Sequence, residues 1–101
     1  MKLIELAQVA NQEFSLTEDN NRFKITINNI NSMMSITIEV NNNIILSGQR
    51  LLPNQLVIQY GYLSKFGNFL MTTQNDEMPD FNQFGVDQFF YFLTKAEVDA
   101  L

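Results

Sequence analysis

Phe23-Lys24-Ile25-Thr26-Ile27-Asn28-Asn29-Ile30-Asn31-Ser32-Met33-Met34-Ser35-Ile36-Thr37-Ile38-Glu39-Val40 is the stretch that decides the fold class. Phe23, Ile25 and Ile27 alternate with Arg22, Lys24, Thr26 and Asn28, while Met34, Ile36, Ile38 and Val40 alternate with Ser35, Thr37 and Glu39. A period of two places one apolar and one polar face on an extended chain, so each half reads as a half-buried strand. Asn29-Ile30-Asn31-Ser32 supplies the turn chemistry between them, and the pair is predicted as an antiparallel hairpin.

Downstream, Asn41-Asn42-Asn43 predicts a second short turn, because Asn tolerates the left-handed backbone conformation. Ile44-Ile45-Leu46 then starts a third strand, with Gly48 at a bulge or at its end and Pro53-Asn54 in a connection. Leu56 to Leu63 is rich in β-branched and aromatic residues, Asn68 to Thr73 follows across Ser64-Lys65-Phe66-Gly67, and a second hairpin is expected there. Gln74 to Gly85 reads as a long loop that Met78, Phe81 and Phe84 should anchor. Gln88 to Leu93 carries large apolar residues on both faces, as expected of a central strand covered on each side or one that meets a partner chain.

Thr94-Lys95-Ala96-Glu97 has the capping-box spacing, and Leu93 and Val98 stand at the positions of a hydrophobic staple, so a short terminal helix is predicted. At the other end, Lys2 to Gln8 and Gln12 to Thr17 read as two short strands. The sum is seven or eight strands and one short helix, with no internal repeat and no linker. The expectation is an all-β single domain over residues 1–101, an antiparallel β-sandwich or a small closed barrel.

Composition narrows the chemistry. The 101 residues carry six Lys plus Arg against eleven Asp plus Glu, a net charge of −5 that opposes binding of phosphate backbones. No specific nucleic-acid binding is therefore expected. With no His and no Cys, nucleophile pairs built on either residue, thiol redox chemistry and most zinc, copper or haem sites are excluded. Charged residues are 17% of the chain, whereas Asn and Gln make up about a fifth, so the surface is polar without being highly charged. The Asn tracts are read as turn formers. No signal-peptide core and no apolar run of the roughly 20 residues needed for a spanning helix is visible. The lack of Cys suits synthesis in a reducing cytoplasm.

Asp76, Glu77, Asp80 and Asp87 are the candidate cation ligands, but they lack the alternating oxygen ligands and loop glycine of a calcium loop, and a solvated loop is the preferred reading. Any two of these acids could form the carboxylate pair a small glycoside hydrolase needs, a reading that would require activity lost on a single change at Asp80 or Asp87; nothing in the sequence sets their separation. No metal, cofactor or catalytic residue is assigned. Tyr60, Tyr62, Phe66 and Phe69 cluster around one hairpin. Their alternate members are expected to fill the core of a protein without Trp, and the outward ones to meet a partner protein. An exposed aromatic platform of this kind also admits an alternative reading, a carbohydrate-binding β-sandwich module.

Read in order, Leu3-Ile4-Glu5-Leu6 with Asn11-Gln12-Glu13-Phe14, Phe23-Lys24-Ile25, Gly48-Gln49-Arg50-Leu51, Phe66-Gly67-Asn68-Phe69, Pro79-Asp80 with Phe84-Gly85, and Tyr91-Phe92-Leu93-Thr94 with Glu97 are similar to a known pattern. The chain resembles a family of small tailed-phage proteins typified by the plug domain of a cyanophage baseplate. That resemblance implies a non-enzymatic structural component of a contractile phage tail, in the baseplate hub near the lower end of the tail tube, acting as a plug or connector. It implies hub, tube and spike proteins as partners, a virion location, and three or six copies around the tail axis. Arg50, Tyr60, Tyr62, Phe66 and Phe69 are the interface candidates under that reading.

Overall fold

The computed structural model describes residues 1–61 and 65–101. Among them, β1 (Lys2–Ile4), β2 (Gln12–Glu18), β3 (Asn21–Ile30), β4 (Met33–Val40), β5 (Asn43–Arg50), β6 (Asn68–Thr72) and β7 (Phe89–Leu93) precede a short helix, α1 (Lys95–Asp99). The strands form two separate antiparallel sheets, ordered β2-β3-β4-β5 and β1-β7-β6. This is a small sandwich, not a closed barrel.

The deciding hairpin forms as read, with Ile25 opposite Ile38 and Ile27 opposite Ile36, all fully buried. Its turn is tighter than the sequence suggests. Asn29 and Ile30 stay in β3, and only Asn31 (φ 50°) and Ser32 (φ 63°) turn the chain, since two successive left-handed residues match the strand twist. Asn41 and Asn42 do the same between β4 and β5, leaving Asn43 in the strand. Gly48 (φ 61°) sits in a bulge where the β4–β5 register shifts, and its N–H donates to Thr37 Oγ1 at 2.9 Å.

Between the sheets, Phe23 of β3 meets Phe69 and Phe92 edge-on at centroid distances of 5.6 and 5.3 Å, and Phe69 stacks on Phe90 at 5.4 Å. Offset and edge-to-face pairs of this kind stabilise by about 0.5–1.5 kcal/mol each beyond their burial. Lys2 bonds Glu18 at 2.5 Å and so links the open edges of β1 and β2 on one flank of the sandwich.

Four expectations need correction. The N-terminal strand stops at Ile4 rather than Gln8, because the Gln12 side-chain amide takes the backbone N–H and C=O of Ala7 at 3.1 and 2.8 Å. Among the described residues, the second hairpin has only one full arm. Within residues 56–61 a single bridge, Leu56 to Leu70, and the Val57 N–H bond to Phe69 O at 2.8 Å stand in for a strand. Val57 and Ile58 are both buried, and residues 62–64 lie outside those described. In the loop that follows, Phe84 is buried and Phe81 packs on the core as expected, but Met78 is exposed and Pro79 is buried in its place. The buried Gln88 holds this loop, accepting from Asp80 N–H at 2.9 Å and donating to Met78 O at 3.2 Å. The fourth concerns Phe69, described below. The terminal helix forms with both bonds of the capping box: Glu97 N–H to Thr94 Oγ1 at 3.2 Å, and Thr94 N–H to Glu97 Oε1 at 3.0 Å.

Candidate interaction surface

Directly opposed residues of antiparallel strands share a face, so the pairings map the outer surfaces. On the outside of the larger sheet, Glu13, Lys24, Thr26, Thr37 and Glu39 form a polar centre. Lys24 lies 3.0 Å from Glu13 and 3.8 Å from Glu39, and the Glu13 hydrogen bond and charge, aided by Glu39, raise its pKa. Toward the β3–β4 turn the chemistry changes. Ile30 is paired with Met33, and both are exposed, 53% and 42%. Arg50 is paired with Ser35 one step away. Together with Asn31, Met34 and Gly48 these side chains border a hollow of about 160 Å³. Met34 also lines a second hollow, of about 410 Å³, with Met78, Pro79, Asp80 and Phe81. Three exposed large apolar residues, Ile30, Met33 and Met78, thus flank one end of the sandwich.

A second apolar surface covers the outside of the smaller sheet. Leu3, Tyr91, Leu70 and Leu56 stand in one row across β1, β7, β6 and the bridge beyond. Leu3 is 49% exposed and the other three are half-buried. The two-sided pattern of β7 therefore has a structural meaning: Phe90 and Phe92 fill the core, while Phe89 and Tyr91 face out, half-covered. A hollow of about 250 Å³ bordered by Leu3, Glu5, Leu6, Gln88 and Phe89 adjoins this row.

The residues singled out in the sequence do not form one patch. Phe69 is 0% exposed and packs against three other rings, so it belongs to the core and offers nothing to a partner. Phe66 is half-buried against the core with the Lys65 ammonium 5.1 Å above its ring. Tyr60 is 63% exposed and Arg50 is exposed, whereas Tyr62 lies outside the described residues. Sequence reasoning missed Ile30, Met33 and Tyr91. Register was the available signal for Ile30 and Met33, which fall on the polar side of the alternations they border, whereas Tyr91 belongs to a run apolar on both faces.

Of the candidate acids, Asp80 accepts from Asn82 N–H at 3.0 Å and starts a 3-10 turn over Phe81–Gln83, and Asp76 accepts from Asn54 at 2.7 Å. Asp87 is half-buried. Among the described residues, no three acidic side chains converge to hold a metal ion. No helix of the described residues is long and apolar enough to cross a membrane.

A family model described as "Cyanophage baseplate Pam3 plug gp18" matches residues 1–95. No curated protein matches the chain.

Proposed function

The chain belongs to the cyanophage baseplate plug family, and from that premise we propose that it is a non-enzymatic structural component of a contractile phage tail. It sits in the baseplate hub near the lower end of the tail tube and works as a plug or connector through contacts with hub, tube and spike proteins. Several copies, three or six, surround the tail axis, joined by heterologous contacts of the kind that close a ring. The protein is made in the host cytoplasm and acts in the virion.

The family match across residues 1–95 carries this reading. Two features of the surface support it. The Leu3-Tyr91-Leu70-Leu56 row and the Ile30-Met33 corner expose apolar side chains that the core does not use, and Tyr, Met and Arg are the residues enriched where proteins meet. A net charge of −5 also suits a protein beside a DNA conduit, since it repels phosphates instead of retaining them.

Quantitative mass spectrometry of purified particles, counting this chain against a tail component of known copy number, tests the proposal. A low fixed count matching one ring is expected. Absence of the chain from intact particles overturns it.

A further inference from the structure

Arg50 is chemically out of place. In a chain with an excess of acids, the N-terminal ammonium bonds Glu97, Lys2 bonds Glu18, Lys24 bonds Glu13 and Glu39, Lys95 bonds Asp99, and Lys65 covers the Phe66 ring. Arg22 and Arg50 make no ion pair among the described residues, and Arg50 borders a hollow. The rest of that rim is Ile30, Met33 and Met34, together with Asn31, Ser35 and Gly48.

A volume of about 160 Å³ is below the ~300 Å³ at which small-molecule pockets begin, and fits one apolar side chain. Unbranched Met side chains adapt to such an insert, and a guanidinium beside it is a two-pronged donor shaped for a carboxylate. We propose that this hollow receives an extended segment of another baseplate protein, one that inserts an aliphatic or aromatic side chain between Ile30 and Met33 and sets a single carboxylate on Arg50. A single carboxylate is specified because the net charge of −5 disfavours a segment carrying a run of acids. The inference rests on the structural role proposed above and adds the chemistry of the partner.

The test places a photoreactive benzoylphenylalanine at position 33 of the phage-encoded chain, irradiates assembled particles and sequences the cross-linked peptides. The expected product is one segment of a different baseplate protein, with an Asp or Glu within three residues of the linked site. The same group at position 44, at the far end of β5, should not give that product. With Arg50→Gln the yield per incorporated copy should fall at least fivefold, or the variant should drop out of particles although its purified form melts at the wild-type temperature. A link to a second copy of this chain, a linked segment without a carboxylate, an undiminished yield with Arg50→Gln, or no link in particles that contain the protein overturns the inference. Particles that lack the protein altogether overturn instead the structural role on which it rests.

Discussion

Replacing Asn68 by Leu is expected to remove a large part of the stability of this protein, although the two side chains are similar in size. Asn68 is 1% exposed, and its amide does three things at once. The Oδ1 atom accepts from the N–H groups of Ile58 and Phe69, each at 2.8 Å, and Nδ2 donates to Ile58 O at 2.7 Å. Ile58 and Phe69 are themselves buried, so Leu at position 68 would leave three polar groups without partners and out of reach of water. Each such orphan costs about 1–3 kcal/mol, and partial relaxation of residues 56–58 toward solvent brings the expected loss to about 4 kcal/mol. Against a total of ~5–15 kcal/mol for a domain, that is a melting temperature lower by roughly 15–30 °C. Urea titration followed by circular dichroism and Tyr emission, in a chain that has no Trp, measures it directly. Asn82, exposed and bonded only to Asp80, is the matched control and should cost under about 0.5 kcal/mol on changing to Ala. If Asn68→Leu loses less than about 1 kcal/mol, the segment is held by the burial of Val57 and Ile58 alone, and the amide clamp described here is wrong.

Glycine positions separate two costs. A Cβ on Gly67 (φ 127°) would stand 2.6 Å from the Phe92 ring and 2.8 Å from Leu93 O, whereas one on Gly48 (φ 61°) meets nothing within 4 Å. Gly48→Ala should therefore show only the left-handed penalty of about 1–2 kcal/mol, and Gly67→Ala at least ~2 kcal/mol more by the same urea titration. Ser32→Gly should stabilise by about 1 kcal/mol, since it creates Asn-Gly at the left-handed pair of the β3–β4 turn; unchanged or lower stability counts against that turn. The Glu97 carboxyl is held below its ordinary value of about 4.5, first by the N-terminal ammonium and then by Thr94 N–H. A pKa depressed in the folded state contributes stability that is whole above the unfolded value and fades as pH falls through the folded one. Melting temperatures recorded from pH 6 to pH 3 should thus fall more steeply below pH 4.5 for the wild type than for Glu97→Gln, and parallel curves would contradict the assignment.

Local pattern made half of this protein legible. The β3–β4 hairpin, the bulge at Gly48 and the capping box at Thr94 each depend on residues near one another in sequence, and each forms where the residue types place it. The segments misread are those whose backbone partners are side chains. Nothing in the string marks Gln12 as the group that ends β1, or Asn68 as the group that replaces a strand beside Ile58, because a buried amide and a surface amide are written with the same letter. The candidate surface suffered in a related way. Aromatic character pointed to Phe69, which register turns into the core, while Tyr91 and Met33, on the outward register, passed as ordinary members of apolar runs.

The amide content itself follows from this arrangement. A sandwich of 101 residues has many corners where the chain leaves one sheet before joining another, and each exposes backbone donors and acceptors that a neighbouring strand does not reach. An Asn or Gln side chain offers a donor and an acceptor together and can be buried without desolvating a charge, which Lys or Glu cannot. Gln12 on Ala7, Asn54 on Thr73, Asn68 on Ile58 and Gln88 between Asp80 and Met78 all use both ends of the amide. Gln49, donating to Val57 O at 2.7 Å, ties β5 to the segment that flanks β6 and so joins the two sheets at a corner. Neutral clamps leave the few charges of the chain to the surface, where Lys2, Lys24 and Lys95 are already matched with acids. An Arg that is not matched, at the rim of an apolar hollow, then stands out as a group whose partner belongs to another protein.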